Sequence, residues 1–403
     1  MIGLIVLPKN KVLDLFSGAG GMAEGFLQAG FEVPYGTDIN VDAARTYINR
    51  HEQLGYNIKF HCGNIIELVE GNNLKNFLGE DFENIGIVCG GPPCQGFSLA
   101  GQRKANDPRN QLVKSYIKVL HLVKPLFFVM ENVTGILSAT FEEYIGIKGN
   151  VYKNTAVTEV LLNEFRSIGY EVEYEVLNAA DYGVPQNRKR VIFIGKKREF
   201  QDIPILFPEA FDYKVSAEEA LSDLNNIENG EKVRQYTIKA ESVYQKESRK
   251  GRTPKFNGKN QRSKIIRNHE TSKHTDLVSE RFSILQSGET VQQLLDRLPP
   301  RAYKKYYTKK QNCKRMIAGE PSPTVMTLPD DMVHYSENRI LTVREMARLQ
   351  SFDDSFEFLG KRTTGGDRRK FELPQYTLVG NAVPPLLANI VAKQIRRMIN
   401  MLR

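Results

Sequence analysis

The chain has 403 residues, four cysteines, no tryptophan and a net charge of +9. That length allows two domains, or one large domain with an insertion, and is ample for a sizeable core. No apolar run is long enough to span a bilayer, and Met1–Lys11 lacks the basic front and cleavage site of a signal peptide, so no membrane partner is expected. Cys62, Cys89, Cys94 and Cys313 are scattered without disulfide or metal spacing, which suits a reducing cytoplasm and no metal. The charge is uneven: between Lys232 and Lys273, 13 Lys and Arg stand against 3 acids. Such a block points to a polyanion such as nucleic acid, although a charge run alone is more often a solvated loop.

Lys11–Leu15 reads as a strand, followed by a glycine turn and a helix to about Ala29. Gly18 and Gly20 let the backbone approach a ligand, and the helix start offers free N–H groups. Asp38, at the end of the next apolar run, can accept both hydroxyls of a ribose. These features fit a nicotinamide dinucleotide enzyme almost as well as an S-adenosylmethionine enzyme. Ile58–His61 is another strand, and Asn64 after it is either an adenine contact or a plain turn residue. Ile85–Cys89 reads as a buried strand stopped by Gly90-Gly91-Pro92-Pro93. Cys94 therefore falls at the carboxyl end of a strand, where open α/β sheets bind ligands. Most single cysteines are buried small hydrophobes, but a stiff Gly/Pro turn argues for an exposed edge. Leu99–Asn110 reads as a mobile loop and Gln111–Val123 as an amphipathic helix.

Leu126–Met130 is a further buried strand, with Glu131 at its end. A helix over Thr158–Ile168 and a strand over Glu171–Leu177 lead to Arg188 and Arg190, which share one side of the strand entering Val191–Gly195. They could clamp an anion or a base carbonyl, or form a simple surface pair. The alternation predicts an α/β fold with a doubly wound parallel sheet. Residues 201–338 lose that alternation and read as short β pieces and loops. They include Arg301, Lys304 and Lys305 interleaved with tyrosines, a pattern that suits phosphate contact and base stacking. Arg339–Gln350 reads as a helix capped by Thr342 and Glu345, and a last amphipathic helix to about Leu402 is expected against the sheet edge.

Six segments, in order, resemble the DNA (cytosine-5)-methyltransferase family of bacterial restriction–modification systems. They are DLFSGAGG at Asp14–Gly21, GGPPCQGFS at Gly90–Ser98, MENV at Met130–Val133, QNRKR at Gln186–Arg190, RILTVREMARLQ at Arg339–Gln350 and GNAVPP at Gly380–Pro385. The resemblance implies a Rossmann-like S-adenosylmethionine-dependent methyltransferase sheet with a smaller, mostly irregular or β target-recognition domain. It places the catalytic and cofactor domain at 1–200, target recognition at 201–373 with the arginine-rich helix at the hinge, and a returning segment at 374–403. It implies Cys94 as nucleophile on carbon 6 of a flipped-out cytosine and Glu131 as acid at N3. Arg188 and Arg190 would hold the ring carbonyl and support the nucleophile. S-adenosylmethionine would meet Phe16, Gly18, Gly20, Asp38, Ile39, Asn64, Ile65, Pro93, Leu112 and Asn381. Gln95, Ser98 and Arg103 of the loop, with Arg301, Lys304 and Lys305, would face double-stranded DNA.

The chain departs from the family at Asp38, usually glutamate, at Asn64, usually aspartate, at Ser351–Asp354, usually with a proline, and at Leu378, usually glutamine. The resemblance further implies a monomer in the bacterial cytoplasm, with a separately encoded restriction endonuclease. The rivals are a transfer-RNA cytosine-5 methyltransferase and a non-catalytic DNA-binding regulator of the same fold. The first lacks its Cys-Phe-Thr segment here, since Cys313 precedes Lys314, and the second does not call for Cys94, Glu131 and Arg188 together.

Overall fold

The computed structural model describes residues 10–93, 110–363 and 372–402. Strands β1 (Lys11–Leu15), β2 (Glu32–Asp38), β3 (Lys59–Cys62), β4 (Ile85–Gly90) and β5 (Phe127–Val133) come first. β6 (Thr140–Ile145) and β7 (Val151–Ala156) form a separate hairpin, and β8 (Tyr170–Asn178) and β9 (Lys189–Lys197) return to the main sheet. The sheet order is β3-β2-β1-β4-β5-β9-β8. β1 to β5 are parallel, whereas β9 runs antiparallel between β5 and β8. The expected all-parallel sheet is thus corrected at one strand. The connection from β8 to β9 holds just the turn Ala179–Tyr182, and a parallel return needs a longer crossover.

The strand order reverses between β1 and β4, which opens a crevice at their carboxyl ends. Alternate residues of one strand feed opposite cores. Leu13, Val88, Phe128 and Phe193 pack with Val113, Ile117, Leu161 and Phe165 on one face. Val12, Ile87, Val129 and Ile194 pack with Phe26, Leu387, Val391 and Ile395 on the other. The last helix, Pro385–Met401, therefore covers a sheet face rather than the expected edge, because its apolar stripe lies on the helix Gly21–Gln28. Gly25 permits that contact: a Cβ there would stand 2.4 Å from the Ala388 Cβ.

Residues 201–338 are irregular as expected, but their regular pieces are helical rather than β. Helices occur at Ala217–Leu221, Val243–Lys250, Asp276–Ser283, Val291–Arg297 and Pro300–Tyr306, and the strands Lys314–Arg315 and Met332–Val333 are two residues each. These helices are too short to show a 3.6-residue period, but three carry capping boxes, Ser216/Glu219, Ser242/Gln245 and Thr290/Gln293. The expected Thr342/Glu345 box starts the helix Val343–Leu349, whose Arg344 and Arg348 are wholly buried. Arg348 bonds Asp223 (2.7 Å) and Asp354 (2.6 Å), tying residues 201–338 to the loop after the helix. The basic block is divided in the same way. Arg249 pairs with Asp223 (2.6 Å), Arg252 with Asp353 (2.9 Å) and Arg267 with Glu357 (3.2 Å). Asp353, within the Ser351–Asp354 stretch, is fully buried.

Candidate active site

The crevice holds a cavity of about 520 Å³. Its first wall is the turn after β1. Phe16 takes a left-handed backbone (φ 53°), a costly conformation for an aromatic residue, of the kind kept at functional sites. Ser17 N–H holds the turn by donating to Thr37 O (2.9 Å). Gly18 also has positive φ, and a Cβ built on it meets no atom within 4 Å, so the backbone there faces open space. Asp38, at the end of β2, accepts from Gly18 N–H (2.9 Å) and Asn40 N–H (2.8 Å). Burial raises its pKa, and these N–H groups oppose that rise.

Phe16, Gly18, Asp38, Ile39, Asn64, Ile65, Pro93, Leu112 and Asn381 all line the cavity. Gly20 does not. Its glycine is required by φ 95° and by the Tyr47 ring, which a Cβ would meet at 2.9 Å. Asn64 serves as a helix cap, its Oδ1 accepting from Ile66 N–H (3.0 Å). An aromatic ring, apolar walls and a carboxylate suit the adenine and ribose of S-adenosylmethionine, and the missing Cβ of Gly18 leaves room beside them.

The opposite end carries the chemistry-bearing side chains. Glu131, from β5, pairs through Oε1 with Arg190 Nε of β9 at 2.7 Å. The two strands are antiparallel neighbours, so this pair follows from the inserted strand. A Cβ on Gly91 would stand 2.9 Å from Glu131 Oε2, so the turn leading to Cys94 passes close by the carboxylate. Asn132 Nδ2 donates to Pro92 O (3.2 Å) and steadies that turn. Arg188 is buried and donates to Val325 O (3.1 Å) and Gly380 O (2.8 Å), while its Nε–H has no partner among the described residues. Burial pushes its pKa down to about 9, which leaves it a cation at neutral pH. The two arginines thus differ: Arg190 pairs with the carboxylate and Arg188 straps three segments together.

Pro93 is the last described residue of its turn; Cys94, Gln95, Ser98 and Arg103 lie outside the described residues. Arg301, Lys304 and Lys305 stand on the helix Pro300–Tyr306, away from the cavity lining, and Lys305 pairs with Glu280 (2.6 Å). Further lining residues escaped the sequence reading: Asp14, Met22, Thr37, Thr324, Met326 and Thr327. The last three come from an irregular stretch with no local signal. Gln186 draws it in, accepting from Val325 N–H (2.8 Å).

Fold and site together define a Rossmann-like methyltransferase of the S-adenosylmethionine-dependent class. The sequence model of the family described as C-5 cytosine-specific DNA methylase matches residues 10–397. Type II methyltransferase M.DdeI of Desulfomicrobium norvegicum is 36% identical over 96% of this chain and 88% of its own. Type II methyltransferase M1.HphI of Haemophilus parahaemolyticus is 34% identical over 98% and 89%. A crystal structure of a prophage-encoded DNA modification methyltransferase of E. coli superposes with a TM-score of 0.71 at 25% identity, over 97% of this chain and 99% of that one. The chain belongs to the C-5 cytosine-specific DNA methylase family. It is a DNA (cytosine-5)-methyltransferase of the bacterial restriction–modification type.

Proposed function

We propose that the protein methylates carbon 5 of a flipped-out cytosine within one short duplex DNA sequence, through a covalent adduct on Cys94. The observation that carries this reading is one cavity lined by Phe16 and Asp38 at one end and by Glu131, Arg190 and Pro93, the neighbour of Cys94, at the other. S-adenosylmethionine, bound at the Phe16 end, supplies the methyl group as a cation equivalent. Cys94, as thiolate, adds to carbon 6, and Glu131 gives a proton to N3 as the ring gains electron density. Arg190 keeps the Glu131 carboxyl in place, and the Nε–H of Arg188, without a partner among the described residues, is a donor available to a substrate oxygen. Carbon 5, now enamine-like, takes the methyl group, the donor's sulfur keeps the electrons of the broken bond, and N3 returns its proton to Glu131. A base then removes the carbon 5 proton, the electron pair reforms the ring double bond, and the thiolate leaves.

The target atom is stacked inside a duplex, so extrusion of the base costs a few kcal/mol. Gln95, Ser98 and Arg103 are proposed to close over the flipped base, and Arg301, Lys304 and Lys305 to contact DNA from a target-recognition region at 201–373. Segments 1–200 and 374–403 form the catalytic part in this reading. The enzyme is proposed to act as a monomer in the bacterial cytoplasm, beside a separately encoded restriction endonuclease.

Bisulfite sequencing of unmethylated plasmid after incubation with the protein and S-adenosylmethionine tests the reading. Protected cytosines confined to one short motif are expected. Complete conversion, with donor binding verified by calorimetry, would sink it.

A further inference from the structure

Residues 255–264 contain Lys255, Lys259, Arg262 and Lys264 and no acid. Lys255 N–H donates to Lys259 O (2.8 Å) and Gly258 N–H to Lys255 O (2.8 Å), closing a tight turn with Gly258 at φ 81°. Both ends of the turn are fastened. Before it, buried Asp353 accepts from the backbone N–H groups of Arg252 (2.6 Å) and Thr253 (3.1 Å), and Phe256 N–H donates to Leu54 O (2.9 Å). On the other side, Asn260 Nδ2 donates to Gly251 O (2.8 Å) and Ser263 N–H to Arg249 O (2.8 Å). Lys259, Arg262 and Lys264 are exposed and Lys255 is half-buried. None of the four side chains has a hydrogen-bond or ion-pair partner among the described residues, unlike Arg249, Arg252 and Arg267 of the same block.

The mounting point decides where these charges face. Leu54 ends the helix Val41–Leu54, which starts just after Asp38 at the carboxyl end of β2 and runs back along the sheet to β3. Its 14 residues, at about 1.5 Å each, span about 20 Å. The Lys255–Lys259 end of the turn therefore sits toward the opposite edge of the sheet from the cavity, beyond the ~8 Å over which charges act through physiological salt.

We propose that this turn is a second seat for the phosphate backbone of duplex DNA, outside the cleft that takes the target base. The proposal rests on the DNA reading above. The substrate polymer extends far past any one site, so another stretch of the same molecule is present at high effective concentration. A fixed cluster of unpaired cations holds such a backbone without reading its sequence.

The test compares the wild type with a variant carrying Lys255→Gln, Lys259→Gln, Arg262→Gln and Lys264→Gln, and with Lys259→Glu alone as a milder change at an exposed position. Fluorescence anisotropy of a non-specific duplex across salt concentrations gives the log–log slope. Initial rates on a plasmid and on a short duplex with the same site give a length ratio. The fourfold variant should lose about 3.6 from the slope, since each of four phosphate contacts contributes about 0.9, and its plasmid-to-short ratio should fall several-fold. Unchanged slope and ratio would overturn the proposal, as would an equal loss on both substrates, which would put the turn in the cleft. Preferential capture of an RNA hairpin by the turn would also overturn it. Should the wild type methylate no DNA, the methyltransferase reading fails, and the anisotropy slope still decides the turn.

Discussion

Asp14 is a carboxyl group with no exposure, sharing the sheet interior with Cys89, whose Sγ lies 3.6 Å from its Oδ1. Burial raises its pKa from 3.8 to about 8. A carboxyl raised by folding holds its proton more tightly in the native state, so its contribution to stability is fully present below pH 4 and is lost as pH rises through 8. Asp14→Asn should flatten the fall in melting temperature between pH 5 and pH 8; an unchanged fall would remove Asp14 as its source. At the catalytic end, Cys94→Ala should abolish methyl transfer and leave DNA affinity within about threefold, since the thiol forms the bond to carbon 6 but is not needed for phosphate contact. Wild-type turnover by that variant would end the covalent mechanism. Glu131→Gln should lower kcat by about 10²–10⁴-fold with little change in donor affinity, as expected for a lost proton donor. A calorimetric titration showing an equal loss of donor binding would assign Glu131 to the donor site instead.

The contact between helices Gly21–Gln28 and Pro385–Met401 depends on one missing side chain. A Cβ on Gly25 would stand 2.5 Å from the backbone nitrogen of Asn389, and Asn389 Nδ2 donates back to Gly25 O (3.3 Å). Gly25→Ala should therefore cost about 1–3 kcal/mol through overpacking, despite the higher helix propensity of alanine. Chemical denaturation measures this, and Gly25→Ala should be partly rescued by Ala388→Gly, which removes the facing methyl group. No loss in the single variant would mean that the helices slide apart freely. The same closeness fixes the glycine turn, since Gly21 begins the first helix and abuts Val383 O, where a Cβ would stand 2.1 Å away.

Across the whole molecule, the sheet and residues 201–338 are joined by buried charge rather than by apolar area alone. Arg348 bonds Asp223, Asp354 and Ala220 O, and Arg50 bonds Glu24 (2.8 Å) with Asp353 at 4.0 Å. Pairing with Arg348 holds Asp354 well below the usual carboxylate range against the effect of burial. Arg348→Met would leave buried Asp354 without its paired cation, whereas Asp223 keeps Arg249. The expected cost is about 3–5 kcal/mol, read as a lower denaturation midpoint. A midpoint within error of the wild type would show that the network relaxes without it. DNA affinity should also fall steeply with salt, since phosphate contacts displace counterions. A flat dependence between low and moderate salt would remove the basic contacts from the interface.

Local order was legible in the sequence wherever one residue dictates one geometry. The glycine turn after Leu15, the stop at Gly90–Pro93 and the Thr342/Glu345 cap each lie where their side chains, or lack of them, demand. Gly18 and Asp38 were legible as a ligand turn because strand ends in such a sheet converge on its switch point, whereas Phe16, Ile39, Ile65, Pro93 and Leu112 were named by the family resemblance. What the tertiary structure decided concerns partners far apart in the chain. The antiparallel entry of β9 sets the Glu131–Arg190 pair, and the seat of the last helix depends on Gly25. Thr324–Thr327 reach the cavity through hydrogen bonds to Gln186 and Arg188. The basic block looked uniform as a string of charges. Its division into ion-paired straps and a turn without such partners among the described residues depends on where Asp223, Asp353 and Glu357 arrive, and long-range ion pairs leave no local pattern to read.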